Sequence, residues 1–325
     1  MTGIPKGTER DRALRMLARF VAGDGIELGP GHQPFPLPYA GATARYVDRW
    51  KPDENTELFP ELGDDAVFAL PDIIADLNVD RLSMIADQSE DFVIASHVLE
   101  HLTDPLAQLS EIHRVLRPGG VALVLLPERT LTFDRARQGT TLPHLIADND
   151  VGMTVADDAH IEEFLIYAEG WHESWDDAAG RKARFDMQRD RSFHVHCWTQ
   201  EEFIPVLRHT ITAMGMSWEL IDAYFVADVV DSIEFGFVVR RSLHAGDAEV
   251  LAKRLDKTWA ALVDSRKERP RPKPRKPHPR RDALNRNPAY RAVRRRARPL
   301  RQAAVTMVGK VRARASTKPE SESHD

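Results

Sequence analysis

The order of three short segments constrains the fold of this chain more than any other feature. Residues 25–31 read Gly-Ile-Glu-Leu-Gly-Pro-Gly, an apolar strand pattern that ends in an acid and a glycine turn. A second apolar run covers residues 91–96, and Pro-Gly-Gly at 118–120 leads into a third at 121–126. This order is typical of an open, mostly parallel α/β sheet with a ligand crevice at the carboxyl ends of its strands.

Hydrophobic spacing predicts the remaining elements around these segments. A capping box with Thr199 and Glu202 predicts the start of one helix. The two late apolar runs, with a short acidic link between them, predict an antiparallel pair that closes the sheet. The predicted strands are 26–28, 44–47 (ending at Asp48), 72–75 (ending at Asp76), 91–96, 121–126, 217–226 and 233–240, and the predicted helices are 8–21, 98–116, 199–215 and 247–267.

Residues 128–198 interrupt the alternation of strands and helices. This stretch holds Trp171, Trp175 and Trp198 and five of the thirteen histidines. We expect it to be an insertion after the fifth strand that lies over the strand ends and supplies a substrate pocket.

The net charge of −5 conceals a strong asymmetry. Residues 266–318 contain 20 Lys and Arg against two acids, a net +18, and residues 319–325 carry −3, which leaves −20 on residues 1–265. The tail combines a proline-rich stretch at 270–279 with an amphipathic basic helix pattern from Tyr290 to Val311. It is either a solvated tail or a segment that binds an anionic membrane surface or a protein partner. Nucleic acid is not expected as a partner, because the body is acidic.

Composition also limits the class of protein. Cys197 is the only cysteine, so an intrachain disulfide is impossible and a reducing compartment is expected. Apolar runs fall short of the ~20 residues that a membrane-spanning helix needs, and the first ten residues show no apolar signal region. These features predict a cytoplasmic protein, with the tail as a candidate contact to the inner face of the membrane.

Taken together, these motifs resemble the class I S-adenosylmethionine-dependent methyltransferases, specifically the methyltransferase type 11 group. The resemblance rests on residues 27–31, Asp48, Asp76 with Leu77, 96–101 and 116–120, and it extends by pattern to 199–241. It implies an α/β, Rossmann-like seven-stranded, mostly parallel sheet with helices on both faces, an antiparallel last strand, an insertion after strand five and a basic C-terminal tail. The implied domains are a methyltransferase domain at 1–245, with the substrate-binding insertion at 128–198, and a helix with a basic, partly disordered tail at 246–325.

The resemblance also implies a cofactor, S-adenosyl-L-methionine, and residues that hold it. In such enzymes the glycine turn holds the methionine part and the acid after the second strand binds the ribose hydroxyls. Two features depart from the family pattern: His32 and Gln33 stand where a third glycine is expected, and a proline-rich run replaces the following helix. The predicted cofactor-binding residues are Glu27, Gly29, Gly31, Asp48, Asp76, Leu77, Ser96 and His97.

The predicted reaction is methyl transfer to an oxygen or nitrogen of a small-molecule or glycan acceptor. Histidine suits a general base near neutral pH, and the candidates are His144, His194 and His97.

Three rival interpretations accompany this one. A metal site could use His194 and His196 with Asp157, Asp158 and His160, but the ligand spacing is weak and no metal is predicted. A nicotinamide dehydrogenase would need a third glycine and a helix after Gly31. A non-catalytic methyltransferase-like module, attached to a membrane surface or partner through the tail, is the alternative function.

Overall fold

The computed structural model describes residues 9–37, 41–59, 66–172, 174, 176–229, 232–244 and 246–267. Within these residues a single seven-stranded sheet runs in the order β3-β2-β1-β4-β5-β7-β6. Its strands are β1 Gly23–Leu28, β2 Ala42–Asp48, β3 Ile73–Ile74, β4 Glu90–Ser96, β5 Leu116–Pro127, β6 Trp218–Tyr224 and β7 Glu234–Arg241.

Strand direction follows the prediction. Every hydrogen-bonded pair among the first five strands is parallel. In contrast, β7 runs antiparallel to both β5 and β6. The prediction of a mostly parallel sheet with an antiparallel last strand is therefore confirmed. Chain order reverses at the β1–β4 pair, which is where open α/β sheets open a crevice at the carboxyl ends of their strands.

Helices cover both faces of the sheet. Alternate residues of β4 point to opposite faces: Phe92 and Ile94 pack with α1, while Val93 and Ala95 pack with the layer that contains α3, α7 and α8. The helices are α1 Glu9–Leu17, α2 Pro52–Leu58, α3 Pro105–Val115, α4 Leu142–Val151, α5 Asp158–Tyr167, α6 Ala178–Asp190, α7 Gln200–Thr212 and α8 Ala248–Lys267.

Two helix predictions have different outcomes. The capping box at the start of α7 is present, with Thr199 and Glu202 in the predicted roles. The continuous helix predicted at 98–116 is instead a 3-10 turn at Leu99–His101 followed by α3. The break has a local cause, because Pro105 disfavours helical backbone at Asp104, and the Asp104 side chain then caps α3 by accepting the Ala107 N–H.

An all-helical segment with its own small core follows β5. Side chains of α5 and α6 pack there with Trp171, Phe193 and Val195. A backbone hydrogen bond from His196 N to Glu100 O (3.0 Å) joins the segment to the body, and one from Arg129 N to Trp198 O (3.0 Å) joins the two ends of the segment. The segment is therefore anchored beside the carboxyl ends of the strands, and its role in substrate binding stays a prediction.

The basic tail lies almost wholly outside the described residues. The predicted helix at 247–267 corresponds to α8, whereas the proline-rich stretch and the amphipathic pattern fall beyond Lys267. Their proposed contact with a membrane or partner therefore stays a prediction. Within the described part of the chain, every helix is too short or too polar to cross a bilayer.

Candidate active site

A cavity of about 870 Å³ opens at the carboxyl ends of β1, β2 and β4. This volume lies at the upper end of the ~300–1,000 Å³ typical of ligand pockets. One side of the cavity is formed by loops of the sheet and the other by the helical segment after β5. Seven predicted cofactor-binding residues line it, namely Gly29, Gly31, Asp48, Asp76, Leu77, Ser96 and His97.

The turn after β1 brings backbone, rather than side chains, to the cavity. Gly29 and Gly31 have φ values of +54° and +53°, a conformation that favours glycine. A Cβ added at Gly29 would lie 3.2 Å from Val98 Cγ2. Since Gly29 N donates to Val47 O (2.8 Å), the turn is also tied to β2. The chain can therefore pass close to a ligand at this point.

Glu27 lies behind the turn and is not among the residues that line the cavity. It is 1% exposed, and its Oε1 accepts the Phe35 N–H at 2.8 Å. Burial raises the pKa of Glu27 to about 7, against the opposing effect of the Phe35 N–H. This position gives Glu27 a supporting contact to the loop, where the sequence predicted a direct contact to the cofactor.

Two acids face the cavity from neighbouring strands. Asp48 Oδ1 accepts the Trp50 N–H at 3.3 Å, and burial raises the pKa of Asp48 although backbone N–H groups oppose the shift. Asp76 pairs with Arg49 Nε (3.0 Å) and accepts the Asn78 N–H (3.0 Å). Asp48 and Asp76 thus lie along one wall, next to the glycine turn.

His97 is held between two carboxylates. Its Nε2 lies 2.7 Å from Glu234 Oε2 and its Nδ1 lies 3.4 Å from Glu100 Oε1. Glu234 in turn receives two hydrogen bonds from Arg10, at 2.6 and 2.8 Å. Burial alone would lower the pKa of His97, but Glu100 and Glu234 outweigh it and raise the pKa to about 9. His97 is therefore protonated at neutral pH, which does not suit a general base.

We expect His97 to make stability depend on pH. Its pKa is higher in the folded than in the unfolded chain, so the stabilisation is complete below about pH 6.5 and is lost as the pH rises through 9. The contribution is roughly 2–3 kcal/mol. The melting temperature of the wild type should fall between pH 7 and pH 9.5 more steeply than that of His97→Gln. His244→Gln, at an exposed histidine, should follow the wild type; parallel curves for all three proteins would contradict the assignment.

His101 lines the same cavity as His97 but differs from it in protonation. Its Nδ1 lies 2.9 Å from Phe193 O, so this nitrogen carries the proton and donates it to the carbonyl, leaving the lone pair on Nε2. Burial lowers the pKa of His101 to about 4. His101 lines the cavity and its side chain is 26% exposed. It is therefore a neutral imidazole on the cavity wall, with its Nε2 3.8 Å from Glu100 Oε1.

The two other predicted bases, His144 and His194, are not among the described residues that line the cavity. His194 Nδ1 lies 2.6 Å from the buried Asp134 Oδ2, and its ring meets that of His101 edge-on with centroids 4.8 Å apart. His144 Nε2 lies 2.8 Å from His160 Nε2, in a separate cluster. The structure therefore brings His97 and His101 to the cavity and places His144 and His194 behind its wall.

Several residues that line the cavity were not predicted from the sequence. Arg10 reaches the site from α1, and Glu234 reaches it from the first residue of β7. The predicted antiparallel hairpin could have indicated Glu234. The first residue of an antiparallel strand lies beside the last residue of its neighbour, here at the edge where the parallel strands end. Other unforeseen lining residues are Arg49, Asn78, Thr103, Thr154, Val155, Ala156, Gln188, Arg189, Arg191, Ser192, Phe193 and Val195.

Comparison with known proteins agrees with this arrangement. Residues 29–124 match a family model described as a methyltransferase domain. A 53-residue segment, 16% of this chain, is 49% identical to a protein of Mycolicibacterium smegmatis named probable S-adenosylmethionine-dependent methyltransferase. The match spans one fifth (20%) of the length of that relative.

Two of the solved structures that this chain resembles are described as S-adenosylmethionine-dependent methyltransferases. The one from Mesorhizobium loti is 14% identical, with 72% of this chain and 99% of that chain covered and a TM-score of 0.40. The one from Methanosarcina mazei is 15% identical, with 70% and 98% covered and a TM-score of 0.38.

The family match falls on the residues that form the glycine turn, the two acids and β4. The strand order, with its antiparallel β7, supplies the sheet on which those residues meet. Residues 29–124 are therefore similar to a methyltransferase domain, and the matched relative is named as S-adenosylmethionine-dependent.

Proposed function

We propose that this protein transfers a methyl group from S-adenosyl-L-methionine to an oxygen or nitrogen of a small-molecule or glycan acceptor. The observation that carries the proposal is the continuity of the cavity. Its lining joins the glycine turn and Asp48 to residues 188–193 of the helical segment after β5. One space therefore offers a cofactor end and an acceptor end.

At the cofactor end, each residue that lines the cavity contacts one part of the cofactor. The backbone of Gly29 and Gly31 holds the methionine part, and Asp48 accepts hydrogen bonds from the ribose hydroxyls. Asp76 and Leu77 face the adenine, while Ser96 and His97 complete the floor after β4. Glu27 acts indirectly, by fixing Phe35 and with it the loop that follows the turn.

At the acceptor end the wall is both polar and aromatic. Thr154 and Ser192 offer hydroxyl groups, and Phe193 offers an apolar face. Arg189 is held by Asp158 and Asp186, and the Arg191 guanidinium lies 5.2 Å from the centre of the Phe59 ring. Such a mixture suits a hydroxylated or amino-bearing acceptor, which needs hydrogen bonds for orientation and an apolar surface for contact area.

The chemistry requires orientation and a proton acceptor. S-adenosyl-L-methionine would supply a methyl group on a sulfonium sulfur. An acceptor oxygen or nitrogen would bond to that methyl carbon in line as the carbon–sulfur bond breaks and S-adenosylhomocysteine leaves. Because an oriented encounter lowers the barrier by itself, the chain acts mainly by positioning both molecules. The Nε2 of His101 takes the proton of the acceptor group, since His101 is neutral and faces the cavity, whereas His97 is already protonated.

The test is an assay for S-adenosylhomocysteine release with a panel of sugars, polyols, amines and phenols. We expect release that depends on at least one hydroxylated or amino-bearing class, together with the methylated product by mass spectrometry. Binding of S-adenosyl-L-methionine without release for any acceptor of the panel would instead favour a non-catalytic module. Absence of binding would overturn the cofactor assignment itself.

A further inference from the structure

A second cluster of side chains lies outside the cavity and has no role in the proposed reaction. It consists of His144, Asp148, His160 and His196, which we call the histidine cluster. Asp148, His160 and His196 are buried, whereas the His144 side chain is 46% exposed. The four residues come from α4, α5 and the connection between α6 and α7, so distant parts of the chain converge on one point.

The distances within the histidine cluster match a tetrahedral metal site. Asp148 Oδ2 lies 3.2 Å from His144 Nε2, 3.6 Å from His160 Nε2 and 3.8 Å from His196 Nε2. The His144 and His160 Nε2 atoms are 2.8 Å apart. Ligand atoms at 2.0–2.1 Å from a tetrahedral zinc ion are about 3.3–3.4 Å from one another. Small side-chain shifts would therefore place all four atoms around one ion.

An unpartnered carboxylate oxygen points into the same space. Asp148 is 5% exposed, and its Oδ2 makes no hydrogen bond although it is buried among three imidazole nitrogens. A buried carboxylate oxygen without a partner is costly. A divalent cation between Asp148 and the imidazoles would satisfy this oxygen. It would replace the present contacts of the three Nε2 atoms, namely His144 to His160 (2.8 Å) and His196 to Thr103 O (3.4 Å).

The outer contacts of His160 orient it as a metal ligand. Its Nδ1 lies 2.8 Å from Asp157 Oδ1, which leaves the lone pair on Nε2, toward the cluster. The same Asp157 oxygen accepts the His160 backbone N–H at 3.0 Å. A carboxylate behind a ligating histidine is the usual arrangement in zinc proteins. His144 and Asp148 complete the match, because residues four apart share one face of a helix.

We propose that the histidine cluster binds one structural zinc ion. Three imidazoles and one carboxylate suit zinc, and four protein ligands leave no open position for water or substrate. None of the four is among the described residues that line the cavity. The ion joins α4 and α5 to the chain at His196, next to Val195 and Thr103 of the cavity wall. It thus ties three parts of the helical segment together at His196, whose backbone N–H bonds to Glu100 O of the body.

Metal content and heat stability test the proposal on the full chain. We expect about one zinc per chain by mass spectrometry of the metal. Removal with a chelator should lower the melting temperature by roughly 5 °C or more, and added zinc sulfate should restore it. His144→Ala should lose the zinc. Because the His144 side chain is half-exposed, we expect this variant to fold. The control His244→Ala, at an exposed histidine, should retain the zinc. Full zinc content in His144→Ala would overturn the assignment.

Cobalt substitution reports the ligands directly. The wild type loaded with Co²⁺ should show the strong visible bands of tetrahedral coordination. His144→Cys should add a sulfur-to-cobalt charge-transfer band, while His244→Cys should keep the wild-type spectrum and so control for an added thiol outside the cluster. Weak bands of octahedral cobalt, or identical spectra for the two cysteine variants, would contradict the four-ligand site.

Discussion

Asp48→Ala is expected to weaken the binding of S-adenosyl-L-methionine by about 30- to 1,000-fold. The proposed contact is a carboxylate that accepts hydrogen bonds from the ribose hydroxyls, and loss of such charge-assisted bonds costs about 2–4 kcal/mol. Asp48 lines the cavity, and the backbone N–H groups of Trp50, Arg49 and Gly31 also approach its carboxylate. Titration calorimetry with the cofactor measures the change directly.

A matched control separates this effect from a general loss of acidic charge. Asp53 is an exposed acid in the first turn of α2, outside the cavity lining. Asp53→Ala should bind the cofactor like the wild type, and both variants should melt within a few degrees of it. Unchanged affinity in a folded Asp48→Ala protein would remove Asp48 from the cofactor site.

The second large effect is expected at His101, once an acceptor has been found. His101→Asn should reduce kcat by about 10²- to 10⁴-fold, the usual contribution of a general base. The asparagine amide can still donate to Phe193 O in place of Nδ1, so the wall is kept while the nitrogen that takes the proton is lost. Cofactor affinity should stay unchanged, which distinguishes a catalytic defect from a binding defect.

The pH profile gives this test a second readout. With a pKa of about 4, His101 is already deprotonated from pH 5 upward, so its ionisation should not make the wild-type kcat fall between pH 9 and pH 5. In His101→Asn the remaining rate should rise with pH, because the acceptor must lose its proton to solvent. His244→Asn controls for the loss of an exposed histidine. A His101→Asn rate within threefold of wild type would exclude His101 as the base.

The part of the cavity lining at the ends of β1, β2 and β4 could be predicted, because the sequence patterns that indicate it are local. A strand, the glycine turn behind it and the acid after the next strand are each encoded within a few residues. Parallel strands then bring Gly29 and Asp48 to the same edge of the sheet. The helix break at Asp104 was the exception, since the apolar spacing continued through it while Pro105 and the Asp104 cap imposed a new start.

The roles of the histidines could not be predicted, because they depend on partners far along the chain. His97 is protonated through Glu100, three residues further on, together with Glu234, which lies 137 residues away. The sequence grouped His194 and His196 as possible metal ligands by proximity. In the structure His194 turns to Asp134, while His196 joins His160, His144 and Asp148.

The sequence by itself therefore determined the sheet and the residues at the ends of its first strands, since periodicity and turn chemistry act over short distances. Only the tertiary structure decided which histidine is charged, which is neutral and which gather around Asp148. The physical reason is that burial and the approach of opposite charges shift the pKa of an imidazole, and both are created by residues that meet only when the chain has folded.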